Sequence, residues 1–319
     1  MDTIHIPVLL SETIEVLLEG GGKAYIDCTV GTGGHSLEIL SKAPQDTILV
    51  GIDKDEKSLD VARNRLSSFG EKVKLLLGGY ENLDKLVSPL NLPPVSGILF
   101  DLGMSSFQLD NVGRGFSFRE EGPLDMRFDN TQKVTAKQVI NSFSQERLFD
   151  LLAKLGEEKW SRRLSRVLSD RMKKNPFETT VELSDFIRRN IPRRAAHKTL
   201  ARVFQAIRIT VNDELENLKI GLFKAFKLLA IDGRIALISY HSLEDRIAKS
   251  FFTTLKKAEY LRVINPRCAR PSKAERMKNR RSRSARLRVI KKIRNFEEEV
   301  ENKGIKGLEG DKNWEEDDD

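Results

Sequence analysis

The chain has 319 residues, 39% of them hydrophobic, with 55 Lys and Arg against 47 Asp and Glu for a formal charge of +8. That length buries one substantial core and a smaller second one, and the charge suits a polyanionic partner. Two cysteines, Cys28 and Cys268, exclude a disulfide framework and a C-x-x-C metal site. Four histidines, His5, His35, His197 and His241, lack metal-ligand spacing, so no metal is expected.

In chain order, residues 24–29 have strand composition. Val30-Gly31-Thr32-Gly33-Gly34-His35-Ser36 follows as a glycine-rich turn opening a helix over 37–42. An apolar strand over 48–52 comes next and ends in an acid, Asp53. Two strands, a glycine elbow and a carboxylate about 20 residues on make the first half of a nucleotide-binding α/β unit; the acid accepts from ribose hydroxyls and the glycines admit the ligand to the backbone. Three cofactor classes compete for this geometry. A dinucleotide site wants a third glycine where Ser36 stands, and a P-loop wants Gly-Lys-Ser/Thr where this turn has His35 and no lysine. S-adenosylmethionine carries no pyrophosphate, and its cationic groups favour acids such as Asp27, so the pattern fits it best.

Residues 73–77 read as the third strand, ending at Gly78-Gly79-Tyr80. Tyr80 then stands at the ligand edge, either against an adenine or as a half-buried core tyrosine. A fourth strand over 95–100 puts Asp101 at its carboxyl end, where open α/β sheets hold ligands. The loop from Asp101 through Gln108 to Arg127 is longer than a plain connection needs, and Phe107, Leu109, Phe116, Phe118 and Leu124 argue that it is ordered. More than one hundred residues separate this strand from a fifth at 234–239. Helices are expected within that span over 144–155, 157–173, 180–190 and 199–210, jointed at Asn175-Pro176 and Ile191-Pro192. A helix over 214–229 and a turn at 231–233 lead into the fifth strand, and Tyr240-His241-Ser242-Leu243-Glu244-Asp245-Arg246 leaves it toward another helix.

The expected fold is therefore α/β, a Rossmann-like sheet with an inserted helical domain. Residues 1–134 and 212–295 form the cofactor-binding domain, 135–211 the insertion, and 296–319 an acidic, disordered tail. Residues 262–294 are dense in Arg and Lys with a single acid, Glu275, and the insertion adds Arg162-Arg163, Lys173-Lys174, Arg188-Arg189 and Arg193-Arg194. Any one doublet reads as a solvated helix face. The longer run favours an RNA partner, because dense like charge repels itself unless a polyanion is near. No apolar run approaches the ~18 residues of a spanning helix and the amino terminus lacks a signal pattern, so a cytoplasmic location without membrane contact is expected.

The motifs resemble those of the bacterial 16S ribosomal RNA (cytosine-N4)-methyltransferase family. The matching segments are His5-Ile6-Pro7-Val8-Leu9-Leu10, residues 25–36, Asp53-Lys54-Asp55, residues 101–127, Phe204-Gln205-Ala206-Ile207-Arg208-Ile209, Asn212-Asp213-Glu214-Leu215, His241-Ser242-Leu243-Glu244-Asp245-Arg246, Arg283-Ser284-Ala285 and Leu287-Arg288-Val289. The resemblance spans residues 5–292. It implies a class I methyltransferase sheet and methyl transfer from S-adenosylmethionine to the 4-amino nitrogen of a decoding-region cytidine in small-subunit ribosomal RNA. It also carries cofactor contacts over to Gly33, Gly34, His35, Asp53, Tyr80, Asp101 and Gln108. Two positions depart from the family pattern: Arg280, where proline is expected, and Tyr240, where phenylalanine is more frequent.

The chemistry sets one requirement. The amino nitrogen of cytosine is a poor nucleophile because its lone pair is delocalised, so the enzyme must accept hydrogen bonds from that amine. Asp101 is the candidate acceptor, unless it only positions the cofactor; the sequence leaves both roles open. His241 is open between seating the base and capping a helix. The cytidine must leave its stack, which favours a single-stranded or loop target. Two readings compete from other classes: a nicotinamide-dependent oxidoreductase, which needs the glycine that Ser36 replaces, and a non-enzymatic RNA-binding factor, against which Gly33-Gly34, Asp53 and Asp101 stand. The sequence is compatible with a homodimer.

Overall fold

The computed structural model describes residues 7–104 and 112–297, and these divide into two compact units, Met1–Gly103 with Leu215–Asp319 and Met104–Glu214. The first is built on a seven-stranded sheet. Its strands are β1 (Ala24–Asp27), β2 (Ile48–Asp53), β3 (Val73–Leu77), β4 (Val95–Asp101), β5 (Leu229–Ser239), β6 (Leu261–Val263) and β7 (Arg286–Lys292). They lie in the order β3-β2-β1-β4-β5-β7-β6, parallel except for β7, which runs antiparallel to β5 and β6. This is the Rossmann-like sheet expected, with an antiparallel strand near one edge. The strand order reverses between β1 and β4, so that pair opens the crevice in which doubly wound sheets bind ligands.

Alternation along the strands supplies a core on each face. Tyr25 of β1, Leu49 of β2, Leu99 of β4, Ala236 of β5 and Val289 of β7 pack on one side, with Ile14 and Leu17 of α1 (Leu10–Leu18) and Ile39 of α2 (Gly34–Lys42). Ile26, Val50, Ile98 and Leu237, their neighbours in sequence, face the other side. There they meet Leu222 and Phe226 of α10 (Glu214–Leu228) and Phe251 and Phe252 of α11 (Ser242–Lys257). The elements α3 (Glu56–Arg65), α4 (Leu83–Val87) and α12 (Lys273–Lys278) complete this unit. The turn expected at 231–233 survives as an irregularity inside β5: Val95 pairs with Leu229, the next partners are Gly97 and Arg234, and Asp232 takes a left-handed φ of 67°. Lys292 is fully buried at the end of β7. Its ammonium donates to the carbonyls of Phe226 (2.9 Å) and Leu229 (2.6 Å), capping the end of α10, where a cation is favoured.

The second unit is helical: α5 (Ala136–Ser142), α6 (Gln145–Asp150) running on as a π-turn over Leu151–Leu155, α7 (Ser161–Lys174), α8 (Thr180–Asn190) and α9 (Ala196–Asn212). The insertion begins at Met104 rather than at 135, because Phe116, Leu124 and Met126 are buried in the helical core with Leu164, Phe177 and Ile207. Asn212 stitches this segment down, donating to the Met126 carbonyl and accepting from the Phe128 amide. The helix expected over 157–173 starts only at Ser161, since Glu157 adopts a left-handed φ of 46° and ends the preceding turn. In α7, Leu164 and Leu168 are buried while Arg162, Arg163, Arg166, Lys173 and Lys174 are exposed. Among the described residues no helix is long and apolar enough to cross a membrane.

Candidate active site

Three carboxylates end three neighbouring strands: Asp27 on β1, Asp53 on β2 and Asp101 on β4. Between them the chain turns through Gly33, whose φ of 79° is a left-handed value that glycine adopts without strain, and enters α2 at Gly34. The helix thus begins three residues before the expected 37, leaving first-turn amides without intrahelical partners.

Asp27 ties this turn together. It is almost wholly buried, its Oδ2 accepts from the Ser36 hydroxyl at 2.7 Å, and its Oδ1 accepts from the Thr29 amide at 3.2 Å. Burial pushes its pKa up to about 6, against the pull of His35 and these hydrogen bonds. Asp27 thus shapes the turn, buried and held through both oxygens. Ser36, noted in the sequence only for a missing glycine, is its fully buried partner. Thr29 performs a similar service on the other side, accepting from the Asp101 amide at 2.6 Å.

Asp53 is half-buried. It accepts from the Gly31 amide at 2.8 Å through Oδ2 and from the Asp55 amide at 2.9 Å through Oδ1, and burial raises its pKa to about 6. Each oxygen has a second lone pair for a hydroxyl donor. Lys54, next in the chain, is paired with Glu81 at 2.8 Å. An acceptor beside glycine amides and strand-end acids, with that lysine engaged elsewhere, matches a cationic ligand with ribose hydroxyls better than a pyrophosphate. S-adenosylmethionine fits the residues present.

Asp101 is bracketed. Its Oδ1 accepts from the Tyr240 hydroxyl at 2.7 Å, and its Oδ2 lies 3.5 Å from Nδ1 of His35. His35 is buried, which pushes its pKa down, and its Nε2 is 3.1 Å from the Val8 carbonyl oxygen. The His35 ring is thus turned to Val8 and Asp101, while its backbone amide lies in the first turn of α2. Tyr80 is half-buried, its ring edge-on to Phe100 at 5.5 Å between centroids. Gln108 lies outside the described residues.

Tyr240 and Thr29 are neighbours of Asp101 that the sequence does not place there. Their distance in the chain from Asp101 hides them, and only strand register brings them in. His241 proves to be a cap: its Nδ1 accepts from the Glu244 amide, and the Glu244 carboxylate accepts in turn from the His241 and Tyr240 amides. Cys28 is buried and its thiol is pushed well above the ordinary range by burial; both cysteines are free.

Comparison with known proteins matches residues 2–293 to the model of the MraW methylase family. A protein of Carboxydothermus hydrogenoformans named Ribosomal RNA small subunit methyltransferase H is 43% identical over 310 residues, covering 92% of this chain and 99% of that one. Proteins of the same name from Caldicellulosiruptor bescii and Dictyoglomus thermophilum are 41% and 43% identical, covering 91% of this chain and 99% and 97% of theirs. The glycine turn, the strand-end acids and this full-length similarity agree: the chain belongs to the MraW methylase family and carries a class I methyltransferase sheet.

Proposed function

We propose that this protein transfers a methyl group from S-adenosylmethionine to the 4-amino nitrogen of a cytidine in the decoding region of small-subunit ribosomal RNA. The observation that carries the choice of atom is Asp101, a carboxylate clamped at the carboxyl end of β4 beside the glycine turn. An exocyclic amine is its own nucleophile once an acceptor draws on its hydrogens. Methylation at a ring carbon instead needs a nucleophile to add to the base, and Cys28, the cysteine following β1, is buried with its thiol protonated.

In this reading Gly33, Gly34 and the amide of His35 bound the cofactor, Asp53 accepts from its ribose hydroxyls, and Tyr80 lies toward its adenine. S-adenosylmethionine supplies an electrophilic methyl group. Asp101 accepts from the amine, turns its lone pair toward that methyl and offsets the positive charge that grows on nitrogen. Fixing the attack geometry supplies much of the rate. The basic faces of the helical unit and of residues 262–294 hold RNA phosphates.

The test is mass spectrometry of nucleosides from small-subunit RNA of cells with and without the gene. Loss of 4-methylated cytidine, restored by the intact gene, is expected. Loss of a methyl group from another base or another atom would overturn the reading.

A further inference from the structure

The two oxygens of Asp101 have different surroundings. Oδ1 accepts from the Tyr240 hydroxyl at 2.7 Å, whereas Oδ2 meets Nδ1 of His35 at 3.5 Å. The Val8 carbonyl beside Nε2 of His35 can only accept, so Nε2 carries a hydrogen, and burial disfavours a second one on Nδ1. A lone pair therefore faces a carboxylate oxygen, and a proton between them would turn that repulsion into a hydrogen bond. Tyr240 is firmly seated. Its ring lies over Gly103, where a Cβ would come within 2.7 Å of the ring's Cε2, and its amide donates to Glu244 Oε2 at 2.8 Å. Burial, then Asp101, holds the phenol protonated as a donor.

We propose that Tyr240 is a positioning residue for methyl transfer: its hydroxyl fixes Oδ1 of Asp101 so that Oδ2, beside the bare Nδ1 of His35, engages the amine and receives its proton. The proposal rests on the cytidine-N4 reading. The amine lone pair forms the N–C bond as the sulfonium C–S bond breaks with its electrons going to sulfur. Positive charge passes from sulfur to nitrogen and leaves as an N–H proton to Oδ2, shared with Nδ1 of His35. No further reactant is needed. Among the described residues, ionisable groups around Asp101 include His35 from α2, Asp27 from β1 and Tyr240 beyond β5, with Glu244 of α11 and Glu275 of α12 acting on Tyr240.

The experiment compares the native chain with Tyr240→Phe, Asp101→Asn and the double variant, on small ribosomal subunits lacking the modification, with nucleoside mass spectrometry of the product. Tyr240→Phe should lower kcat roughly tenfold, the cost of one hydrogen bond to a charged group, with S-adenosylmethionine affinity retained. It should also move the acid limb of the pH–kcat profile upward, because Asp101 loses the Tyr240 hydroxyl as a donor to its charged form. In the Asp101→Asn background the same change should cost almost nothing, since Tyr240 acts through that carboxylate. In the free protein, 13C spectra should show Asp101 titrating higher in Tyr240→Phe, and 15N spectra should show His35 protonated on Nε2. Normal kcat in Tyr240→Phe, an undiminished loss in the Asp101→Asn background, or a hydrogen on Nδ1 of His35 would each overturn the proposal. If the native chain fails to make 4-methylcytidine, the substrate reading falls and takes this one with it. If it makes that product and Tyr240→Phe turns over normally, only the role of Tyr240 falls.

Discussion

Asp27 and Asp53 show how neighbouring strand ends put one residue type to two uses. Asp53 keeps lone pairs available while two amides hold it in place. Asp53→Ala should weaken S-adenosylmethionine binding by about ten- to a hundredfold, the loss of acceptors worth roughly 1.5–3 kcal/mol. Calorimetry on the folded variant checks this, and unchanged affinity would remove Asp53 from the site. Asp27 makes a different prediction, about pH. Its pKa is 3.8 in the ordinary case and about 6 in the fold, so its proton favours the folded state. That contribution is complete below pH 3.8 and is lost as pH rises through 6. Relative to Asp27→Asn, the native chain should lose up to about 3 kcal/mol of stability between about pH 4 and 7.5, at roughly 1.36 kcal/mol per pKa unit. Denaturant unfolding of both proteins at the two pH values measures it, and a pH-independent gap would contradict the raised value.

At the level of elements, the central parallel strands were legible because strands buried on both faces are continuous apolar runs, as in Ile48–Asp53, whereas Val73–Leu77 lies at the sheet's edge and is only part-buried. Helix α8 was likewise legible from Thr179, which caps it through the Glu182 amide, to the Ile191-Pro192 joint. The starts of α2 and α7 were not, because each depends on a left-handed residue, Gly33 and Glu157, whose conformation tertiary packing selects. The start of α11 carries a prediction. His241 closes a capping box with Glu244, so His241→Ala should cost about 0.5–2 kcal/mol while His241→Asn, a strong cap, keeps most of that stability. Thermal unfolding gives the stability. If His241→Asn is as stable as the native chain yet methylates far more slowly, the ring does more than cap.

For the whole molecule, the net charge of +8 overstates what is available to RNA. Within residues 262–294, Arg286 and Arg288 both bond Asp245, and Lys292 is buried against backbone carbonyls. Arg280, Arg281 and Arg283 lie together on a short 3-10 turn at the surface. Replacing all three with Ala should leave S-adenosylmethionine affinity intact and weaken RNA binding. The slope of log affinity against log salt should flatten by about one for each phosphate that the variant no longer neutralises. Titrations at several salt concentrations decide it; an unchanged slope would confine RNA recognition to the helical unit.

By itself the sequence determined the alternation of strands and helices, the glycine turn, the acid at the end of each central strand and the presence of a helical insertion. These follow from local composition, period and chain order. The tertiary structure decided which strand-end acid is buried in the service of the fold, and where the insertion begins. Burial and hydrogen bonding turned Asp27 inward to Ser36, and Phe116, Leu124 and Met126 joined the helical core. It also brought Tyr240 to Asp101, 139 residues away in sequence, because β5 lies beside β4. Local pattern specifies elements; long-range register chooses partners, and partners set what a side chain can do.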